Sequence, residues 1–208
     1  MGSGRYAILG MAAPAFFAVS VIALSLKRSG YSHIYHTISE LGETGASNAQ
    51  VASAVFVLTG LMLAVYGYGL HLKLQRDDKR VWSGVCVILY GLLDFMGSGL
   101  FPVDQGGAAA TVTAGIHVTA TVLGELAALA MPIAFLMDTE GIDKWTHLRG
   151  FSKTVTALSI PLTIFLVYAI TENTPGVMDS PLGLAQRMLV GLLMTWTGYT
   201  AHIIHKTT

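Results

Sequence analysis

Charge is scarce in this chain. Only 12% of its 208 residues are Asp, Glu, Lys or Arg, where an average soluble domain carries roughly a quarter. The two signs balance at 12 residues each, so no net field draws in nucleic acid or an acidic partner. Cysteine is almost missing. Cys86 stands alone inside an apolar run, which excludes an internal disulfide and a CxxC redox or zinc motif. Neither HExxH nor GxSxG occurs, so a zincin helix and a nucleophile elbow are both absent. Short alternating segments of the kind that build a membrane β-barrel are absent too.

Long hydrophobic runs are what the chain does have. Hydrophobic residues make up 53% of it, and the mean hydropathy is +0.61. A helix needs about 20 mainly apolar residues to cross the hydrocarbon core. Six segments meet that length, roughly 6–26, 51–72, 81–101, 114–137, 151–170 and 182–204. Backbone groups inside lipid must be satisfied within their own segment, so these runs read as helices. Pro14, Pro132 and Pro161 fall inside them, and each should kink its helix. The opening MGSG reads as a tag remnant, and the first run, though it follows Arg5 as a signal peptide would, is long enough to be a mature span.

The basic residues set an orientation. With the N-terminus inside, the inner side carries Arg5, Lys73, Arg76, Lys79, Arg80, Lys144, Arg149, Lys153 and Lys206, and the outer side only Lys27 and Arg28. This positive-inside bias places both termini in the cytoplasm of a multi-pass cell-membrane protein. The expected fold is therefore all-α: one polytopic domain over residues 1–208, with six transmembrane helices and a short amphipathic external helix.

That external helix is expected in the stretch YSHIYHTISELGETGASNAQ, residues 31–50. At 100° per residue, His33, His36, Glu40 and Glu43 fall within an arc of about 80°, opposite Ile34, Ile38 and Leu41. Gly42 and Gly45 break the helix, and Ser47 to Gln50 has the form of a capping box for the second span. The segment reads either as a structural lid or as one wall of a site. His33 and His36, together with His117, form a candidate zinc set.

Several ionisable residues lie within the runs. Asp94 is roughly 10 Å inside the third, His117 about one turn into the fourth, Glu125 two turns deeper, and Arg187 near the start of the sixth. A charge at the bilayer centre costs about 2.5–3.5 kcal/mol on the gentler insertion scale, so these groups should face one another or a wet cavity. The simplest pairing sets Arg187 against Asp94 or Glu125. Gly97 and Gly99 should let a neighbouring helix approach closely. A second group, His71, His147, His202 and His205, reads as histidines anchoring inner helix ends. Tyr66, Tyr68, Trp82, Trp145, Trp196 and Tyr199 read as a set that includes interfacial anchors.

The motifs ISELGETGASNA, GSGLFPVD, GIHVTATVLGE and GLAQR, in this order, resemble the prokaryotic multi-span family catalogued as domain of unknown function nine-nine-eight. The matching positions are Ser39, Glu40, Leu41, Gly42, Gly45, Asn48, Phe101, Pro102, Asp104, His117 and Arg187. The resemblance implies a polytopic membrane protein and no established activity. A looser similarity reaches eukaryotic six-span proteins of the damage-regulated autophagy modulator type.

Three functions fit these residues. The first is binding or transport of a small or lipidic ligand in an outward-facing pocket lined by Ser39, Glu40, Asn48, Asp94, Asp104, His117, Glu125 and Arg187. In it Arg187 suits a carboxylate or phosphate. The halves show no internal similarity of the kind that would support transport, and six spans are few for a transporter monomer, so transport would call for a homo-oligomer. The second is a metal-dependent intramembrane lipid hydrolase, with zinc-activated water or Ser39 as the nucleophile. The third is a non-catalytic scaffold or sensor. Membrane lipid is the surrounding partner in all three.

Overall fold

The structure is a computed structural model that describes residues 4–75 and 81–207. Residues 1–3 of the opening stretch read as a tag, and three of the basic residues behind the orientation, Arg76, Lys79 and Arg80, lie outside the described residues. The described residues form six long helices: α1 (Gly4–Leu26), α2 (Ala49–Leu74), α3 (Ser83–Leu100), α4 (Val112–Asp138), α5 (Thr146–Thr171) and α6 (Leu182–Lys206). No strand occurs among them. Each helix packs on the next and α6 returns to α1, so the six close into a ring, across which α4 and α6 barely touch.

Helices α1 to α5 are long and apolar enough to cross a membrane. Helix α6 has the length but a more polar sequence, with Gln186, Arg187 and a run of Thr, His and Lys. It is held by burial instead. Leu189, Leu193, Trp196 and Ala201 are fully enclosed between α1 and α5. Trp196 donates its indole N–H to Ser152 Oγ at 2.9 Å, tying α6 to α5. Trp145 and Tyr66 are likewise buried, so these three rings serve the core, whereas Tyr68 and Trp82 stay exposed. Outward faces carry apolar side chains such as Val19, Leu126, Ile160 and Ile164. Such a surface suits hydrocarbon better than water.

Glycines bring the backbones of α2 and α3 together. Gly60 and Gly67 on α2 face Gly84 and Gly91 on α3, each pair seven residues apart. Seven residues are close to two full turns, so each pair stays on one helix face. A Cβ on Gly91 would lie 2.5 Å from the Gly60 carbonyl oxygen, one on Gly84 2.6 Å from that of Gly67, and one on Gly99 2.6 Å from that of Ser53. The backbones therefore touch without side chains between them, the usual way membrane helices gain dispersion contact. Gly97 meets Ala120 of α4 instead, so the two glycines of GSG serve different neighbours.

Beside this contact, α3 loosens from α-helix into a π-helical stretch over Tyr90–Met96, which carries Asp94. Such wide turns are uncommon and concentrate at functional sites. Gly124 on α4 gives Asp94 its room, since a Cβ there would sit 2.6 Å from that of Asp94. At the end holding the termini, the Asp138 carboxylate accepts the Ser83 N–H at 2.7 Å and the Trp82 N–H at 3.1 Å, satisfying the first donors of α3. His71 contacts the Val81 carbonyl through Nδ1, and His147 Nδ1 contacts the Tyr199 hydroxyl at 3.4 Å.

The glycine contact makes a direct prediction. Gly91→Ala should destabilise the protein by about 1–3 kcal/mol, because backbone on the facing helix cannot yield. Gly150→Ala has open space and should be neutral or slightly stabilising. Thermal unfolding of both variants in detergent checks the contrast.

Candidate functional site

At the end of the ring away from the termini, residues 27–48 cross the bundle rather than loop away from it. The external helix is not the amphipathic α-helix expected there. Residues 33–36 form turns, and only Ser39–Gly42 makes one short 3-10 turn. Side chains replace helical bonding for a physical reason. Glu40 Oε1 accepts the Thr37 N–H at 2.7 Å and the Thr37 hydroxyl at 3.0 Å. Glu43 Oε2 accepts the Gly106 N–H at 2.7 Å, and its Oε1 pairs with Arg28 at 2.5 Å. Arg28 also donates to the Glu40 carbonyl. Both glutamates are buried, together with Ile38 and Leu41, so the pattern expected of a surface helix instead feeds a folded plug.

Helix α6 grips the plug from its first turns. Arg187 donates to the carbonyls of His36 and Gly183 at 2.8 Å and of His33 at 3.1 Å, and to the Tyr31 hydroxyl. Tyr31 donates its own O–H to the Thr37 carbonyl at 2.7 Å. Gln186 Oε1 accepts the Ile38 N–H at 2.8 Å, and the Leu184 N–H reaches the Ile34 carbonyl at 2.9 Å. Gly183 is required here, since any Cβ would collide with the His36 carbonyl. The expected pairing of Arg187 with Asp94 or Glu125 is therefore not formed. Its charge is spent on carbonyls that the plug cannot satisfy internally, and Arg187 faces a separate apolar groove with Pro14, Phe17 and His33.

Beneath the plug lies a cavity of about 320 Å³. Ser39, Asp94, His117, Glu125, Thr121, Gln186 and Asn173 supply its polar lining, with Val118, Val122, Leu166, Ile170 and Leu189 as apolar wall. Four of the expected residues thus converge: Ser39, Asp94, His117 and Glu125. Val122 and Ile170 are also more than half exposed on the outer surface, so the cavity reaches that surface between α4 and α5. On the other side, Thr37, Gly107, Asn173 and Leu182 line both this cavity and a polar vestibule that holds Glu40 and Glu43. No Lys or Arg lines the cavity, and Glu125 Oε1 is buried without a hydrogen-bond partner.

Two polar atoms meet at the roof. His117 Nδ1 lies 2.7 Å from the Phe101 carbonyl oxygen, and its Nε2 lies 3.1 Å from Ser39 Oγ. A carbonyl can only accept, so Nδ1 carries the hydrogen. In the neutral ring, Nε2 then keeps its lone pair and accepts the Ser39 O–H. Phe101 ends α3, Ser39 starts the 3-10 turn and His117 sits one turn into α4, so three separate segments build the contact.

The remaining expected residues do other work. Asp104 lies in the loop before α4 and accepts from the Thr111 N–H at 2.8 Å, the Thr111 hydroxyl at 2.9 Å and the Ala110 N–H at 2.9 Å. These bonds, the Thr111 N–H first, hold its carboxyl below the usual aspartate range. Asn48 is buried beside α1 and donates to the Leu24 carbonyl, away from the cavity. The Ser47–Gln50 capping box does not form, because Asn48 occupies the cap position and makes no side-chain cap bond. The proposed zinc set is pulled apart by local bonding. His33 Nε2 is engaged by Ser25 Oγ at 3.0 Å, His36 Nδ1 accepts the Ser32 N–H at 2.9 Å, and His117 is committed to Phe101 and Ser39. Among the described residues no group of three His, Cys, Asp or Glu side chains is placed to hold a metal ion. Sequence reasoning missed Gln186, Tyr31 and Thr37. The GLAQR motif contained Gln186, but an uncharged amide gave no reason to single it out.

A family model described as protein of unknown function (DUF998) matches residues 11–202. The chain belongs to this family. No curated protein and no solved structure matches it. Within this DUF998 chain, the family-like motifs gather at one end: ISELG forms the plug, GLFPVD supplies the Phe101 carbonyl, GIHV supplies His117, and GLAQR grips the plug.

The plug makes one pH prediction. Burial, opposed by Arg187, pushes the Tyr31 phenol up to about 12. The neutral phenol is thus favoured by the fold. Its contribution to stability is complete below pH of about 10 and is lost as pH rises through about 12. The ultraviolet phenolate difference between wild type and Tyr31→Phe should show a midpoint near the upper value. A midpoint near 10 would mean that Tyr31 is not held against α6.

Proposed function

We propose that this protein is a six-span membrane protein with both termini in the cytoplasm, whose outward-facing cavity binds a lipid. The observation that carries the reading is the composition of the cavity wall. One side is polar and acidic, the other is apolar and continuous with the hydrocarbon-facing surface between α4 and α5. A head group can enter the polar part while its chain stays against Val118, Val122, Leu166 and Ile170. The basic residues at the inner helix ends support the orientation.

The lining narrows the head group. Arg187 commits Nη1 and Nη2 to the plug and its own helix and does not line the cavity, and Asp94 and Glu125 line it with no cation beside them. Phosphate or carboxylate finds no charge partner there. An uncharged or cationic head group rich in hydroxyl or amino donors matches the carboxyls, Asn173 and Gln186.

Native mass spectrometry of protein extracted from membranes tests this. Wild type should retain lipid with an uncharged or cationic head. Val122→Trp, which fills the wall, should cut occupancy about tenfold, the effect of roughly 1.4 kcal/mol. Folded protein that carries no lipid, or retains it equally after Val122→Trp, would favour a scaffold or sensor role. The proposed topology predicts that a reporter fused to the C-terminus reads as cytoplasmic.

A further inference from the structure

We propose that Ser39 is the nucleophile, and His117 the base, of an acyl-transfer site that cleaves ester-linked lipids bound in the cavity. The inference rests on the lipid-binding reading for its substrate, but its chemistry stands on separate geometry.

A serine hydroxyl is a weak nucleophile unless a base takes its proton. His117 has the required form. The Phe101 carbonyl holds Nδ1–H at 2.7 Å, and the opposite nitrogen faces Ser39 Oγ at 3.1 Å. A backbone carbonyl here performs the orienting job that a carboxylate performs in many triads. His117 is only 3% exposed, while Ser39 is half-buried and lines the cavity. The base is therefore shielded and the nucleophile is reachable. Gln186 completes the arrangement. Its Oε1 is fixed by the Ile38 N–H, which leaves the amide NH2 as a donor on the wall that Ser39 shares. Charge that develops on the ester carbonyl oxygen needs such a donor.

The steps balance without a metal or redox partner. Ser39 Oγ forms a bond to the ester carbonyl carbon as His117 Nε2 takes its proton. The tetrahedral adduct collapses, the bond from carbonyl carbon to alcohol oxygen breaks, and His117 returns the proton to the departing alcohol. Water from the vestibule, or a second lipid hydroxyl, then attacks the acyl-serine. His117 takes that proton and gives it back to Ser39 as the acid or new ester leaves. The Phe101 carbonyl and Gln186 stay in place throughout.

An alkyl fluorophosphonate tests the nucleophile without knowledge of the natural lipid. Its phosphorus bonds to an activated serine oxygen and fluoride departs. Folded full-length protein in detergent should gain one adduct, located by peptide mass analysis at Ser39. Ser39→Ala should abolish it and His117→Gln should slow it at least about 100-fold, the lower range for loss of a general base. Thermal unfolding establishes that each variant is folded. If His117→Gln does not fold, the wild-type adduct and Ser39→Ala decide. A folded wild type without adduct, an adduct elsewhere, or a folded His117→Gln labelled at the wild-type rate would overturn the proposal. Bound lipid separates the two readings. Retained lipid with no adduct sinks only the nucleophile, whereas an adduct at Ser39 without retained lipid sinks only the lipid-binding pocket.

Discussion

The arrangement at this end of the molecule depends on one constraint: a non-helical strand of backbone lies over buried surface, and its polar groups need partners. Within the membrane region an unsatisfied amide or carbonyl costs several kcal/mol. Arg187 answers for the plug carbonyls of His33 and His36 and for that of Gly183 in its own helix, Gln186 for the Ile38 N–H, Glu40 for the Thr37 N–H and Glu43 for the Gly106 N–H. Replacing these by water would require an open loop, and an open loop would leave Ile38 and Leu41 exposed. The plug is stable because its apolar side chains are buried while its backbone groups are met by Arg187 and Gln186 of α6 and by its own Glu40.

That same bonding places the chemistry. Thr37 is fixed by Glu40 and Tyr31, Ile38 by Gln186, and Ser39 lies next in the chain, above His117. Below, the glycine contact between α2 and α3 brings the π-helical turn and its Asp94 against Gly124 of α4. One interface therefore supplies the roof and another the wall of a single cavity.

Much of the architecture could be read directly. Apolar runs mark the long helices, because a helix in lipid must be apolar along its length. Asp94, His117 and Glu125 could be assigned to a shared cavity because lipid penalises them elsewhere. Ser39 came from a family-like motif rather than from a physical signal. Arg187 and the histidines were harder. A guanidinium in a span invites a carboxylate partner, yet here backbone carbonyls, which carry no signal in sequence, compete successfully. The helical pattern of residues 33–43 was a real periodicity put to another use: its two glutamates turn inward, Glu40 to donors of Thr37 and Glu43 to Arg28 and Gly106, which are distant in sequence from one another.

The order of residues alone determined an all-helical membrane bundle and the need to shelter a few polar groups, since each follows from local composition and the solvent. Only the folded chain decided which groups meet. Ser39 and His117 are 78 positions apart, and their contact requires α3 to end, the plug to turn back and α4 to begin within a few ångströms. Such a meeting is set by the sum of many long-range contacts, and no window of sequence contains it.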